Sequence, residues 1–273
     1  MPEYVFYQVD AFASQTFEGN QACVIPMADF LPDTTLLAIA AENNVAETAF
    51  IVPLGEGRWK LRWFTPTVEV PLCGHATLAA AHVLFRHEGF TGNRIVFETV
   101  KSSELTVERS GNGYEMDFPC PEVFETAATD EVSAALGARP IAAYGGPFYA
   151  AIFETPEDVL ALTPDLKTLA QLGIQNDEKN WERGNFGCMA LGGEGVDVTS
   201  RFFAPGSGID EDPATGSWHC MLAAVVKSRF GSSELACYQA FPGRGGRIGT
   251  RVEGDRVKLT GEAVTVIRGQ FTL

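Results

Sequence analysis

The chain has 273 residues, 45% hydrophobic and 20% charged, with a formal net charge of −15. That apolar content supports one large core or two modest ones and excludes a disordered chain. Phosphate binding needs clustered Lys and Arg, so the acidic balance excludes nucleic acid as an expected partner.

The opening residues, MPEYVFYQVDAF, read as a strand and not as a basic segment followed by an apolar one, so a signal peptide is not expected. No apolar run has the length of a bilayer span, and a cytoplasmic location is the expectation. Strands are predicted over Tyr4 to Phe12, Ala22 to Pro26, Thr48 to Val52, Trp59 to Phe64 and Arg94 to Thr99. More follow at Glu104 to Glu108, Tyr114 to Phe118, Phe148 to Phe153, Val257 to Leu259 and Val264 to Gly269. Asp33 is the expected cap of a helix running to about Glu42. Thr129 or Asp130 opens another that stops at Gly137, and a further helix follows Pro164-Asp165.

Two helices stand apart. HATLAAAHVLFRH runs from about His75 to His87, and SWHCMLAAVVKSRF from about Ser217 to Phe230. Both are apolar on nearly every face, so other elements must surround them. Many short strands with two such helices indicate sheets curled around a central helix, not a doubly wound parallel sheet. The six cysteines are scattered without a CxxC pair, and no HExxH pattern is present. Neither a disulfide framework nor a metal site is expected.

The chain also repeats itself. Leu61-Arg62-Trp63-Phe64-Thr65-Pro66 resembles Ser200-Arg201-Phe202-Phe203-Ala204-Pro205, and the Arg, Phe and Pro all align at one common offset. Carrying that offset forward places Cys73 opposite Asp212, and each segment then enters its apolar helix. A duplication is expected, with a boundary near Phe118 to Pro121 and a C-terminal strand returning to the first half.

Each apolar helix opens on a turn of small residues: Cys73-Gly74-His75-Ala76-Thr77 and Asp212-Pro213-Ala214-Thr215-Gly216-Ser217. Helix starts carry unpaired N–H groups and partial positive charge, and glycine lets a ligand come close. Taken singly, these are ordinary caps. Taken as a pair, they suit a bound carboxylate. His75 is suited to proton transfer near neutrality, and Asp212 to orienting an imidazole or carrying a proton. Glu47, in Asn44-Val45-Ala46-Glu47-Thr48, sits where a helix gives way to an apolar strand. It is either a partly desolvated acid/base group or a surface residue ending the helix. At its repeat position, near Phe186 to Cys188, no carboxylate stands. A site built on Glu47 is therefore one-sided.

The segments VDAFASQTFEGNQACVI, NVAETAFIV, RWFTPTVEVPLCGHATLAAAH and RFFAPGSGIDEDPATGS resemble, in order, the phenazine-biosynthesis isomerase-like (PhzF-like) family of the diaminopimelate epimerase and proline racemase fold group. The resemblance implies an α/β (α+β) fold of two pseudo-symmetric lobes, each a curled, mostly antiparallel sheet around a buried helix. The lobes would be residues 1–118 with 263–273 and residues 119–262, with the active site in the cleft between them. It implies a homodimer, no metal, no organic cofactor, and a small carboxylate-bearing substrate. The family's glutamate, histidine, aspartate and serine match Glu47, His75, Asp212 and Ser217 as catalytic residues. Asn20, Cys73, Gly74, Thr215 and Gly216 match positions around the substrate. Gln21 replaces a usual Pro. Trp218 stands where a small residue is common, and its bulk is expected to narrow the pocket.

The function expected is proton transfer by Glu47 in a cofactor-independent isomerase. The alternatives are an amino-acid racemase or epimerase using Cys73, and a metabolite-binding protein without turnover.

Overall fold

The computed structural model describes residues 2–100, 104–173 and 183–273. The chain divides into two compact units, residues 1–117 with 260–273 and residues 118–259.

The first unit contains β1 (Glu3–Ala11), β2 (Asn20–Pro26), α1 (Asp33–Asn43), β3 (Glu47–Gly55), β4 (Arg58–Phe64), β5 (Glu69–Val70), α2 (Gly74–Arg86), β6 (Arg94–Thr99), β7 (Leu105–Ser110) and β8 (Gly113–Pro119). The second contains β9 (Phe124–Thr126), α3 (Asp130–Leu136), β10 (Ala142–Gly145), β11 (Tyr149–Ile152), α4 (Pro156–Leu160), α5 (Leu166–Leu169), β12 (Phe186–Leu191), β13 (Val198–Phe203), a 3₁₀ turn at Pro205–Ser207, β14 (Glu211–Asp212), α6 (Gly216–Phe230), β15 (Glu234–Phe241), β16 (Arg244–Glu253) and β17 (Arg256–Gly261). A last strand, β18 (Ala263–Thr272), pairs antiparallel with β1.

The pairings reveal the duplication directly. In the first unit β1/β2 are antiparallel, β2/β3 parallel, β3/β4 antiparallel, β4/β6 parallel and β6/β7 antiparallel. In the second, β10/β11, β11/β12, β12/β13, β13/β15 and β15/β16 repeat the same series. Each long buried helix falls at the same point of its series, after the short strand β5 or β14.

Alternation along the strands explains what covers each face. In the first unit Ile25, Phe50, Val52 and Phe64 form a core cluster with Leu36, Ile39 and Ala40 of α1. The opposite parity, Val24, Ala49 and Ile51, is also buried, and α2 packs against β1, β2, β3 and β18. Every residue of α2 from His75 to Phe85 is buried. Strand residues hidden on both faces thus read as continuous apolar runs. In the second unit α6 contributes Trp218, Met221, Leu222, Val225 and Val226 to a cluster with Ile152, Met189 and Phe202. The other face is covered by α3, α4 and α5 through Val132, Leu136, Val159 and Leu169.

Some expectations shift in detail. Asp33 is the first residue of α1, whose cap position is Pro32 with no side-chain bond. The Asp33 carboxylate instead accepts from Arg62 at 2.9 Å. Thr129 caps α3 by accepting from the Val132 N–H, and Gly137 ends it in the left-handed region at φ 81°. Trp218 is fully buried in the α6 cluster, so its bulk fills the core instead of narrowing a pocket. It fits there because its neighbour on β12 is glycine. A Cβ on Gly187 would lie 2.2 Å from the Trp218 ring. Gly187→Ala is expected to destabilise the chain by about 1–3 kcal/mol through overpacking, read by urea unfolding. Pairing it with Trp218→Phe should recover part of that loss, since the two changes meet at one contact. An unchanged midpoint in the single variant would contradict this packing.

Candidate active site

The sequence repeat places Cys73 opposite Asp212, and the structure corrects that register. Phe64 pairs with Glu69 and Phe203 with Glu211. Arg62 forks onto Glu69 through Nε (2.7 Å) and Nη2 (2.9 Å), and Arg201 onto Glu211 at the same two distances. Glu69 and Glu211 are thus equivalent. The second unit has three more residues between its Arg strand and its Glu, accommodated by the turn at Pro205–Ser207. From there to the helices the two segments stay in step. Gly74 matches Gly216, and Cys73 and Thr215 are the extended residues preceding each helix. Thr77 Oγ1 donates to the Cys73 carbonyl at 2.6 Å, and His219 Nδ1 to the Thr215 carbonyl at 2.8 Å. His75 is therefore the counterpart of Ser217, and Asp212 of Val70.

Glu47 heads β3. Its parity with Ala49 and Ile51 turns it to the α2 side of the sheet. Asn20 heads β2, with the parity of Ala22 and Val24. Because β2 and β3 are parallel, with Ala22 opposite Glu47, both side chains stand at one end of the sheet. The loop that delivers Asn20 is tightly built. The buried Asp10 carboxylate accepts from the Phe17 N–H at 2.7 Å. At Gly19, φ is +60° and a Cβ would lie 2.1 Å from the Ala11 carbonyl oxygen, so only glycine fits.

These placements converge on His75, in the first turn of α2. His75 Nε2 lies 3.0 Å from Glu47 Oε2, with side-chain exposures of 7% and 18%. The distance is that of an ion pair, but the ring N–H is not aimed along it, and Oε2 is a buried oxygen with no hydrogen-bond partner. On the other side, His75 Nδ1 lies 3.3 Å from Asn20 Nδ2 and 3.5 Å from Cys73 Sγ. A neutral ring with its proton on Nε2 accepts from the Asn20 amide. A charged ring donates from Nδ1, which requires the amide to turn its oxygen inward.

Burial alone would pull the His75 pKa down, but the coupling of the ring to Cys73 and Glu47 outweighs it and holds the ring well above its ordinary 6.5. Burial, and then the Glu47 charge, push the Cys73 thiol up. Because the folded value for His75 lies above the ordinary one, its contribution to stability is complete below about pH 6.5. The contribution is lost as pH rises through the folded value. Glu47→Gln removes a negative neighbour, so the His75 titration, followed by NMR of the ring, should shift downward. An unmoved titration would show that the ion pair has no energetic weight.

The second helix start is organised differently. Thr215 Oγ1 donates to the Asp212 carboxylate in a close contact. Gln239, fully buried on β15, holds both residues: Nε2 donates to the Asp212 carbonyl (2.6 Å) and Thr215 Oγ1 (3.1 Å), and Oε1 accepts from the Thr215 N–H (2.9 Å). Gly216 is buried, and Ser217 is exposed on the first helical turn. Gln239 is absent from the residues expected from sequence. Its signal is a lone polar residue in the buried alternation Leu235, Cys237, Gln239. By strand register the counterpart of Glu47 is Asn185, since Thr48 faces Phe64 as Phe186 faces Phe203. Asn185 Nδ2 donates to Ser207 Oγ at 3.0 Å.

Two of the other histidines lie together away from His75. His82 Nε2 and His87 Nε2 share the Thr265 hydroxyl at 2.9 and 2.7 Å, and burial lowers His82 to about 4. His219 is likewise lowered to about 4 by burial. All six cysteines are free thiols, five of them buried. Among the described residues no helix is long and apolar enough to cross a membrane.

The comparisons with known proteins agree with this architecture. The model of a family described as phenazine biosynthesis-like protein matches residues 9–269. An uncharacterized isomerase of Pseudomonas aeruginosa is 42% identical over 98% of both chains. The human phenazine biosynthesis-like domain-containing protein is 33% identical, covering 96% of this chain and 97% of its own. A crystal structure of a PhzF-family phenazine biosynthesis protein of Enterococcus faecalis superposes with a TM-score of 0.92 at 35% identity over the whole of both chains. A hydroxyproline epimerase of Agrobacterium vitis shares the fold at 10% identity, with a TM-score of 0.58 and coverage of 99% and 91%. Matched end to end by family, relatives and fold, the chain belongs to the phenazine biosynthesis-like (PhzF) family, and it is an isomerase of that family.

Proposed function

We propose that this isomerase moves a proton between two carbons of a small carboxylate-bearing molecule, with Glu47 as the carrier and without a cofactor. The observation that carries the reading is the Glu47 carboxylate at the mouth of β3, with an oxygen that accepts no hydrogen bond 3.0 Å from His75 Nε2. A buried lone pair without a donor is a base prepared to accept a proton. Glu47 takes the proton from one carbon, the electron pair shifts along the adjoining double bond, and the same carboxyl returns the proton at the far carbon. A charged His75 offsets the negative charge that develops on the substrate. The N–H group at Gly74, in the first turn of α2, suits the substrate carboxylate, with Asn20 positioning, and the family resemblance also assigns Asp212, Thr215, Gly216 and Ser217 to the reaction.

A racemase using Cys73 is the second reading, supported by the thiol 3.5 Å from His75 Nδ1. Inversion at one carbon wants an acid on each face, and the counterpart of Cys73 is the hydroxyl of Thr215. That favours the one-carboxylate isomerase. We also infer a cytoplasmic homodimer from the family, which sedimentation and cell fractionation read directly.

The test is a thermal-shift screen of small carboxylates, followed by turnover of each stabilising compound in heavy water. A positional isomer that keeps part of its original proton is expected, because a shielded single base returns some of what it removes. Deuterium entering only at an amino-acid α-carbon with inversion would overturn the reading in favour of the racemase.

A further inference from the structure

We propose that Glu47, Cys73 and His75 form a binding site for a thiophilic divalent cation such as Zn²⁺, and that the ion shuts the catalytic site. Their ligand atoms all lie within 4.8 Å of one another. Glu47 Oε2 is 3.0 Å from His75 Nε2, and Cys73 Sγ is 4.0 Å from that nitrogen. Tetrahedral zinc binds S at about 2.3 Å and N or O at about 2.0–2.2 Å, which sets its ligands roughly 3.3–3.7 Å apart. The widest separation in the cluster, up to 4.8 Å, has to close by about 1 Å, which rotations of the Glu47 and Cys73 side chains supply.

The donors rest on firm supports: the first residue of β3, the extended residue before α2, and the first turn of α2. Glu47 Oε2 is buried, makes no well-aimed hydrogen bond and lies 3.0 Å from His75 Nε2, so a metal would take the place of that ion pair. A metal on Nε2 leaves Nδ1–H to donate, and the Asn20 amide 3.3 Å away accepts it once its oxygen turns inward. Metal-bound histidines are oriented by such a partner. One thiolate, one imidazole and one carboxylate select zinc-like ions over magnesium or calcium and leave a fourth position open. The family resemblance implies no resident metal, so the ion acts here as an inhibitor. Bound to Oε2, it occupies the lone pair that would take the substrate proton. The inhibitory half of the proposal rests on the Glu47 reading, and the binding half does not.

The probe is Co²⁺ added to the reduced full-length chain, followed by absorption. The expected result is one ion per chain with a thiolate-to-cobalt charge-transfer band, displaced by Zn²⁺ and not by Mg²⁺. Cys73→Ser should abolish the band, and Glu47→Gln and His75→Ala should each weaken Co²⁺ binding at least about tenfold. Circular dichroism of each variant confirms that it folds. No band in the parent protein, or a band kept by Cys73→Ser, would overturn the site. Zn²⁺ that binds without slowing turnover would overturn the inhibition. Cobalt binding with full turnover in Glu47→Gln would leave the site standing and sink the proposed mechanism.

Discussion

Glu47→Gln is expected to lower kcat by about 10²–10⁴-fold, the range in which a positioned acid/base group contributes. The substitution keeps the size and polarity of the side chain and removes its capacity to exchange a proton. Its structural cost should be confined to the lost ion pair with His75, because Glu47 Oε2 accepts no hydrogen bond. KM should change much less than kcat, since the proposal gives the substrate carboxylate to backbone N–H groups and not to Glu47. Glu47→Asp separates chemistry from support: it keeps a carboxylate but draws it back by one methylene, so partial activity is expected. Full turnover by Glu47→Gln with an identified substrate would end the mechanism. A parallel loss of kcat and thermal stability would reassign Glu47 to structural support.

The site is legible in the sequence where chemistry and local pattern coincide. Glu47 stands at the change from helix to apolar strand, and His75 at the start of a helix that is apolar all round. The structure brings these two within an ion-pair distance. The repeat is legible too, but its register is not. Arg62, Phe64 and Pro66 recur as Arg201, Phe203 and Pro205 at a single offset, and that offset carried forward makes Cys73 the mate of Asp212. The Arg forks onto a Glu, so the structure keeps the Arg–Glu distance in space and lets three extra residues form the Pro205–Ser207 turn. Sequence spacing cannot reveal which contact is preserved across an insertion. The place of Trp218 is hidden for a related reason. Its neighbour Gly187 is remote in sequence, on a strand that patterning does not resolve, so the compensation in volume does not show.

The corrected register alters the meaning of the asymmetry. His75 is matched by Ser217, Cys73 by Thr215 and Glu47 by Asn185, so each ionisable group of the Glu47–Cys73–His75 cluster has a neutral hydroxyl or amide as its counterpart in the second unit. Asp212 has Val70 as its counterpart and is therefore not a relic of a symmetric pair. It belongs to the second unit alone, held by Thr215 and Gln239. A duplicated scaffold that keeps its titrating triad on one side suits removal and return of a proton on one face.

Gln239→Leu should produce the largest loss of stability among the site variants, about 3 kcal/mol by urea unfolding. The side chain is fully buried and bonds the Asp212 carbonyl, the Thr215 hydroxyl and the Thr215 N–H. Leucine matches its volume but offers no polar atom. Two backbone groups then lose a partner in the interior, at roughly 1–3 kcal/mol each. The backbone at Thr215 is extended, at φ −114°, and no side-chain cap holds the start of α6. Gln239 therefore takes over the role that a capping side chain plays elsewhere. Freed from it, the Asp212–Thr215 turn should loosen. Gln239→Glu tests the same turn differently: it keeps the acceptor for Thr215 N–H but sets a carboxylate against the Asp212 carbonyl, and should cost more as pH rises. A Gln239→Leu protein of unchanged stability would mean that the helix start is held by other contacts.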